Sequence, residues 1–254
     1  MAGMGLRVRV GAGTGVEVLV AAAAVSDAEW RSVFTHGERA TAATRAAGGT
    51  ALAQDTARFG RFGWINLAGP LTALRLPWSR DALLDLIASL SPEDLRATLV
   101  GVRRHELRRH LDETTLRAAL AGDRAARHRL RSALGSTLAQ VSPWLLRTPP
   151  ETIRQVCLDT LAALPSPADR APDAAATRGR LAETGAESLI EQVAPGVHYG
   201  PRVLNDVVLV TSPQVAPISV VVDEVKRKVV MHPPIGDGGA TDAGAQLRDL
   251  GRAV

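Results

Sequence analysis

Aromatic side chains are scarce in this chain: three Phe, four Trp and one Tyr make up 3% of its 254 residues. Where so few occur, a place where they gather is informative. Cysteine is scarcer still. Cys157 stands alone in an apolar-periodic stretch with Ile153, Val156 and Leu161. That excludes an internal disulfide and a multi-thiolate metal site, and it fits a reducing cytoplasm. Lysine is nearly absent: of the 30 basic residues only Lys226 and Lys228 are not arginine, in an Ala-rich background that reads as the codon usage of a GC-rich bacterial genome. The net charge is only +4, whereas firm duplex binding takes roughly six to ten clustered phosphate contacts, so DNA binding by this chain alone is not expected. Long hydrophobic runs are missing too. The longest, "VEVLVAAAAV", is about ten residues, half of the ~20 that span a bilayer, and no convincing leader precedes it. A soluble, cytoplasmic protein is expected.

What is present is a chain 46% hydrophobic, enough to fill a substantial core. "LRVRV" (6–10) alternates apolar and Arg residues and reads as a short strand. Helix-start grammar follows at Thr14/Glu17, Ser26/Glu29, Ser91-Pro92-Glu93-Asp94 and Thr148-Pro149-Pro150-Glu151. In each, a hydroxyl and a downstream carboxylate can satisfy backbone N–H groups that a helix start leaves unpaired. Leu/Ala-rich periodic runs make most of 12–193 helical, with breaks near Gly48-Gly49 and Leu76-Pro77-Trp78. From Val197 the period changes. "VHY", "VLNDVVLV" and "ISVVVDEVKRKVVMH" read as two or three antiparallel strands with a hairpin turning at Asp223-Glu224. The fold class is therefore α+β and predominantly helical, a helical N-terminal region followed by a small antiparallel β segment. The organisation reads as 1–164 helical with one N-terminal strand, 165–185 a Pro/Ala-rich linker or irregular helix, 186–234 a helix plus the β segment, and 235–245 a Gly/Pro linker. Over 246–254 a terminal amphipathic helix opens.

Chemistry-bearing motifs are few. Gly11, Gly13 and Gly15 in "VRVGAGTGVEV" sit where a dinucleotide-binding loop would lie, but the third fingerprint glycine is Val16 and no acidic second strand follows. A flexible turn capped by Thr14 is the better reading. "HELRRH" (105–110) places its two His five apart, off a common helix face, so it is not a zinc-protease helix. The stretch 101–131 carries nine Arg, three His and four acids. It reads as a solvated or acid-paired helical face. A helix-turn-helix through Gly122 fails there, because Asp123, His128 and Arg131 stand where the second helix needs apolar contacts. No G-x-S-x-G elbow, P-loop or paired metal-ligand motif occurs, so no enzyme, no metal and no cofactor is expected. The aromatics gather in "FGRFGWINLAGPL" (59–71). Phe59, Phe62 and Trp64 read as core or as walls of an apolar effector pocket, with Asn66 and His36, Trp144 or Tyr199 as its polar or distal elements. A bend near Gly60 or Gly63 would make room for it.

Taken in order, "RFGWINLAG", "LSPEDLRATLVG", the Gly122-Asp123 turn after "LRAAL", "TPPETIRQVCLDTL", "ESLIEQVAPGVHYGP", "VVLVTSPQVAPISVVVD" and the final "QLRDLGRAV" resemble a known family. It is that of the long actinobacterial ArsR-type winged helix-turn-helix regulators. Tyr199-Gly-Pro201 and Ser212-Pro213 to Pro217 match its paired Pro-containing features. The resemblance implies a sensory and dimerising region for a transcriptional regulator, with DNA contacted only by a winged-helix domain that "QLRDLGRAV" would begin. It implies a homodimer, and the aromatic cluster at Phe59, Phe62 and Trp64 points to a small apolar effector. Metal sensing does not carry over with Cys157 alone. The alternative is a stand-alone small-molecule-binding or scaffold protein with no DNA-binding domain.

Overall fold

The computed structural model of the chain describes residues 7–134, 141–166, 173–195 and 206–235. Strand β1 (Arg7–Gly11) turns directly into helix α1 (Thr14–Ser26). α1 contains the long apolar run, and all of its residues from Gly15 to Val20 and from Ala22 to Val25 are buried. A helix that is apolar all round has no face to give to water, so it becomes the centre of the molecule. Around it lie α2 (Ala28–Val33), α3 (Gly37–Arg58), α4 (Gly60–Asn66), α5 (Ala68–Ala73) and α6 (Arg80–Ser89). A second shell comprises α7 (Pro92–Val100), α8 (His105–His110), α9 (Glu113–Ala121), α10 (Arg124–Leu134), α11 (Pro143–Arg147) and α12 (Pro150–Ala163). Ile153, Cys157 and Leu161 of α12 join the same core, which is why that stretch is periodic. Among the described residues no helix is long and apolar enough to cross a membrane.

The expected helix starts mark real helices, although only Ser91 caps as written, accepting from the Asp94 N–H at 3.1 Å. At α2 the cap is Asp27, which accepts from the N–H groups of Glu29 and Trp30. Thr14 lies inside α1, where its hydroxyl accepts from the Arg80 N–H instead. The breaks are also real. Gly48-Gly49 kinks α3 with Gly49 at φ 66°, and Gly60 at φ 66° separates α3 from α4.

The β segment departs from expectation. β2 (Asp206–Thr211), β3 (Val220–Glu224) and β4 (Arg227–His232) join β1 in one four-stranded sheet of order β1-β2-β4-β3. Only β3 and β4 pair antiparallel; β1, β2 and β4 run parallel. Parallel pairing suits a sheet covered on both of its faces. Val208, Val210, Val229 and Met231 pack into the α1 core, while Val10, Val207, Leu209 and Val230 pack against α13 (Ala175–Val193). A strand buried on both faces reads as an unbroken apolar run, and "DVVLVT" is buried at all six positions. The hairpin turns at Val225-Lys226, one pair beyond Asp223-Glu224, which stay in β3 and pair with Lys228 and Arg227. Arg9 of β1 is tied to Asp206 of β2 at 2.8 Å, pinning the first and last thirds of the chain together. α13 occupies part of the stretch read as linker or irregular helix, kinked at Gly185. The expected "VHY" strand, most of the 235–245 linker and the terminal helix lie outside the described residues.

Candidate functional site

The glycine turn between β1 and α1 is an instrument of packing. A Cβ on Gly13 would stand 2.1 Å from the Trp78 carbonyl oxygen, and one on Gly15 2.6 Å from that of Ser79. The Gly15 N–H donates to the Trp78 carbonyl at 2.9 Å. That donor, which a phosphate-cradling loop would hold open, is committed to another chain segment, and the Val16 and Glu17 N–H groups close onto the Gly13 carbonyl. Thr14 does not cap α1, whose N-cap is Gly13. Glu17, expected to complete a capping box, is fully buried with neither carboxylate oxygen in a well-formed hydrogen bond. Burial pushes its carboxyl up to about 7, tempered by the nearby Ser212 hydroxyl and Gln214 backbone.

Ser212, His232 and Glu17 are all buried, each with an unpartnered polar atom, a set that invites comparison with a nucleophilic triad. The pleat separates them. Ser212 follows Val208 and Val210 on the α1 side, where Glu17 lies. His232 pairs with Thr211 and follows Val230 on the α13 side. Its Nδ1 lies 2.7 Å from the Pro233 carbonyl, and burial lowers its pKa to about 4. "HELRRH" forms the short helix α8, and among the described residues no group of three His, Cys, Asp or Glu could hold a metal ion. Burial pushes the Cys157 thiol well above its usual range.

Of the aromatic candidates, Phe59 and Trp64 meet with ring centroids 4.4 Å apart and planes tilted by 43°, and Trp144 meets Phe59 edge-on at 5.2 Å. Phe62 sits apart, against Trp30 and under the guanidinium groups of Arg61 and Arg104. The Trp64 N–H donates to the Thr56 carbonyl at 2.9 Å, and the Asn66 amide to that of Leu99 at 3.1 Å. Gly60 supplies the expected bend, yet the space it opens beside Phe59 and Phe62 measures about 10 Å³, room for one water at most. Trp64 does not border it. The cluster is core in this structure rather than a ligand-sized pocket. His36 precedes α3, and Tyr199 lies outside the described residues.

A ligand-sized hollow lies elsewhere, in the basic stretch. Contrary to expectation α9 and α10 do pack, through Leu116, Ala119 and Leu120 against Ala126 and Leu130. Asp123 occupies no core position. It caps α10, accepting from the Ala126 N–H at 2.7 Å, and His128 and Arg131 are exposed. Gly122 at φ 106° makes the turn. Part of the stretch is acid-paired as expected: Arg117 with Asp94 and Glu113, and Arg108 with Glu113. α10 is not. Arg127 and Arg131 have no carboxylate partner among the described residues, and with Arg96 of α7 and Arg147 of α11 they line a groove of about 800 Å³. Its remaining walls are mostly apolar, including Leu120, Leu130, Val141 and Leu146. Arg96 is 8% exposed, its Nε donating to the Leu145 carbonyl at 2.9 Å and its Nη2 to that of Leu146 at 2.6 Å. Those carbonyls belong to α11, so Arg96 fastens α11 to α7. Sequence reading missed the groove because its four arginines come from three helices. Comparison of the chain with protein-family models, curated proteins and solved structures found no match.

Proposed function

We propose that this chain is the sensory and dimerising region of an ArsR-like transcriptional regulator, and that its effector site is the groove between α9–α10 and α11. The observation that carries the reading is the groove itself. At about 800 Å³ it falls in the range of small-molecule sites, concave with apolar walls and a few convergent polar groups. Its lining offers guanidinium groups and hydrocarbon, a donor set suited to holding a ligand rather than to general acid–base or nucleophilic chemistry. DNA would be contacted by a winged-helix domain following residue 254, in a homodimeric cytoplasmic regulator.

Three observations test this. Thermal-shift screening of the intact chain against small metabolites should yield stabilising ligands whose effect Arg131→Ala diminishes. The genomic frame beyond codon 254 should encode a recognition helix. An immediate stop codon would turn the reading toward a stand-alone binding or scaffold protein. A mobility-shift assay at physiological salt should show no operator-selective binding by residues 1–254, and nanomolar selective binding would overturn the assignment of DNA contact to a further domain.

A further inference from the structure

Resting on that reading, we propose that the groove takes a small amphipathic organic anion, its oxyanion held by Arg96, Arg127, Arg131 and Arg147 and its apolar body laid against Leu130 and Leu146. Four guanidinium groups converge on one concavity, and no carboxylate stands among its described lining residues. The intervening residues 135–140, "GSTLAQ", carry no ionisable side chain. Gathering like charges is unfavourable, and here it is felt: burial, and then the charge of Arg127, lower the Arg96 pKa. An anion seated in the groove relieves that repulsion.

The arginines are also held in place. Arg96 is fixed by the two α11 carbonyls, and the Arg127 Nε donates to the Ala119 carbonyl at 3.0 Å. A planar fork held in this way loses little freedom when it grips a carboxylate, sulfonate or phosphate. An adjoining hollow of about 320 Å³ shares Arg96 but is lined by Glu93 and by Arg117, which already pairs with Asp94 and Glu113. Charge is balanced there and not in the groove. A nucleic-acid duplex fits less well, because Arg96 at 8% exposure lies too deep for a backbone phosphate to reach, whereas a small oxyanion can enter.

The test uses the intact chain with two fluorescent probes, 8-anilinonaphthalene-1-sulfonate and its uncharged counterpart N-phenyl-1-naphthylamine, titrated by fluorescence and calorimetry. We expect one sulfonate probe per chain, binding at least ~10-fold tighter than the neutral probe, as a charge-assisted hydrogen bond predicts. The paired substitution Arg131→Ala/Arg147→Ala, both at exposed side chains, should weaken the sulfonate probe by a similar factor with an unchanged far-ultraviolet circular dichroism spectrum. Rising salt should weaken it too. Arg129→Ala, on α10 but outside the groove lining, should leave it unchanged. Thr148→Trp, which narrows the groove and does not line the adjoining hollow, should abolish binding of both probes. If the neutral probe binds as tightly and Thr148→Trp removes both, the groove remains an effector site and the anion assignment is wrong. If Thr148→Trp affects neither, the groove is no site and the functional reading loses its support. Stoichiometric displacement of the sulfonate probe by a short DNA duplex would replace the small anion with a nucleic-acid partner.

Discussion

Glu17 and His232 make the clearest residue-scale consequences, because each is buried and each resists its charged form. Glu17 is raised from 4.5 to about 7 on folding, so the folded state holds its proton more tightly. Its contribution is fully present below pH 4.5 and is lost as pH rises through 7. His232 is lowered from 6.5 to about 4, so its contribution is present above pH 6.5 and is lost as pH falls through 4. The two trends oppose one another between pH 4.5 and 6.5. Urea denaturation should therefore find the native chain nearly indifferent to pH in that window. Glu17→Gln should expose a stability that declines toward acid, and His232→Asn one that declines toward base, each by roughly 3 kcal/mol across its range. A flat profile in both variants would mean that neither group titrates as its burial demands. Trp64 is fully buried with its N–H bonded to the Thr56 carbonyl. Trp64→Ala should cost ~3–5 kcal/mol, read as a lower denaturation midpoint. A loss under ~1 kcal/mol would show that the ring borders slack space after all.

At the scale of elements, two glycines in kindred settings have opposite reasons to be there. Gly13 has φ 178°, extended backbone open to any residue, but a Cβ would strike the Trp78 carbonyl. Gly49 has nothing within 4 Å of a Cβ, but its φ of 66° is left-handed. Gly13→Ala should thus force the β1–α1 turn from the 76–79 segment and cost at least the ~1–3 kcal/mol typical of overpacking. Gly49→Ala should cost only the ~1–2 kcal/mol of a strained backbone. The reverse ranking in thermal denaturation would contradict this account of the turn. Helix positions were legible because caps and periodicity are local: Ser91 and Pro92 start α7, and Gly122 ends α9, as written. The roles of Thr14 and Glu17 were not legible. The same four letters can form a capping box or place a carboxyl inside a core, and only the covering of α1 by β2 and its following turn decides between them. The packing of α10 was misjudged for a related reason. Its apolar contacts are supplied by Ala126 and Leu130 while Asp123 serves as cap, so the pair needs fewer apolar residues than the expectation assumed.

For the whole molecule, the sheet joins residues far apart in sequence, with β1 paired to β2 over the intervening helices, α1 packed against β2 and α13 against β1. The 1–164 helical region therefore leans on 206–232 for part of its core. A fragment of residues 1–166 should show reduced thermal cooperativity and bind a hydrophobic dye such as 8-anilinonaphthalene-1-sulfonate strongly, because the apolar faces of α1 and β1 lose their cover. Sharp, cooperative unfolding of that fragment would show that the helices suffice. The sequence by itself determined the α+β class, the mostly helical 12–193 with its four helix starts, the hairpin and the central apolar run, since these follow from residue spacing and from backbone groups satisfied within a few positions. Tertiary structure alone decided that the sheet is mixed, that the aromatic cluster closes into core, and that Arg96, Arg127, Arg131 and Arg147 share one groove. Strand partners, the emptiness beside a ring and the meeting of charges from different helices depend on distances through space, and distances along the chain do not encode them.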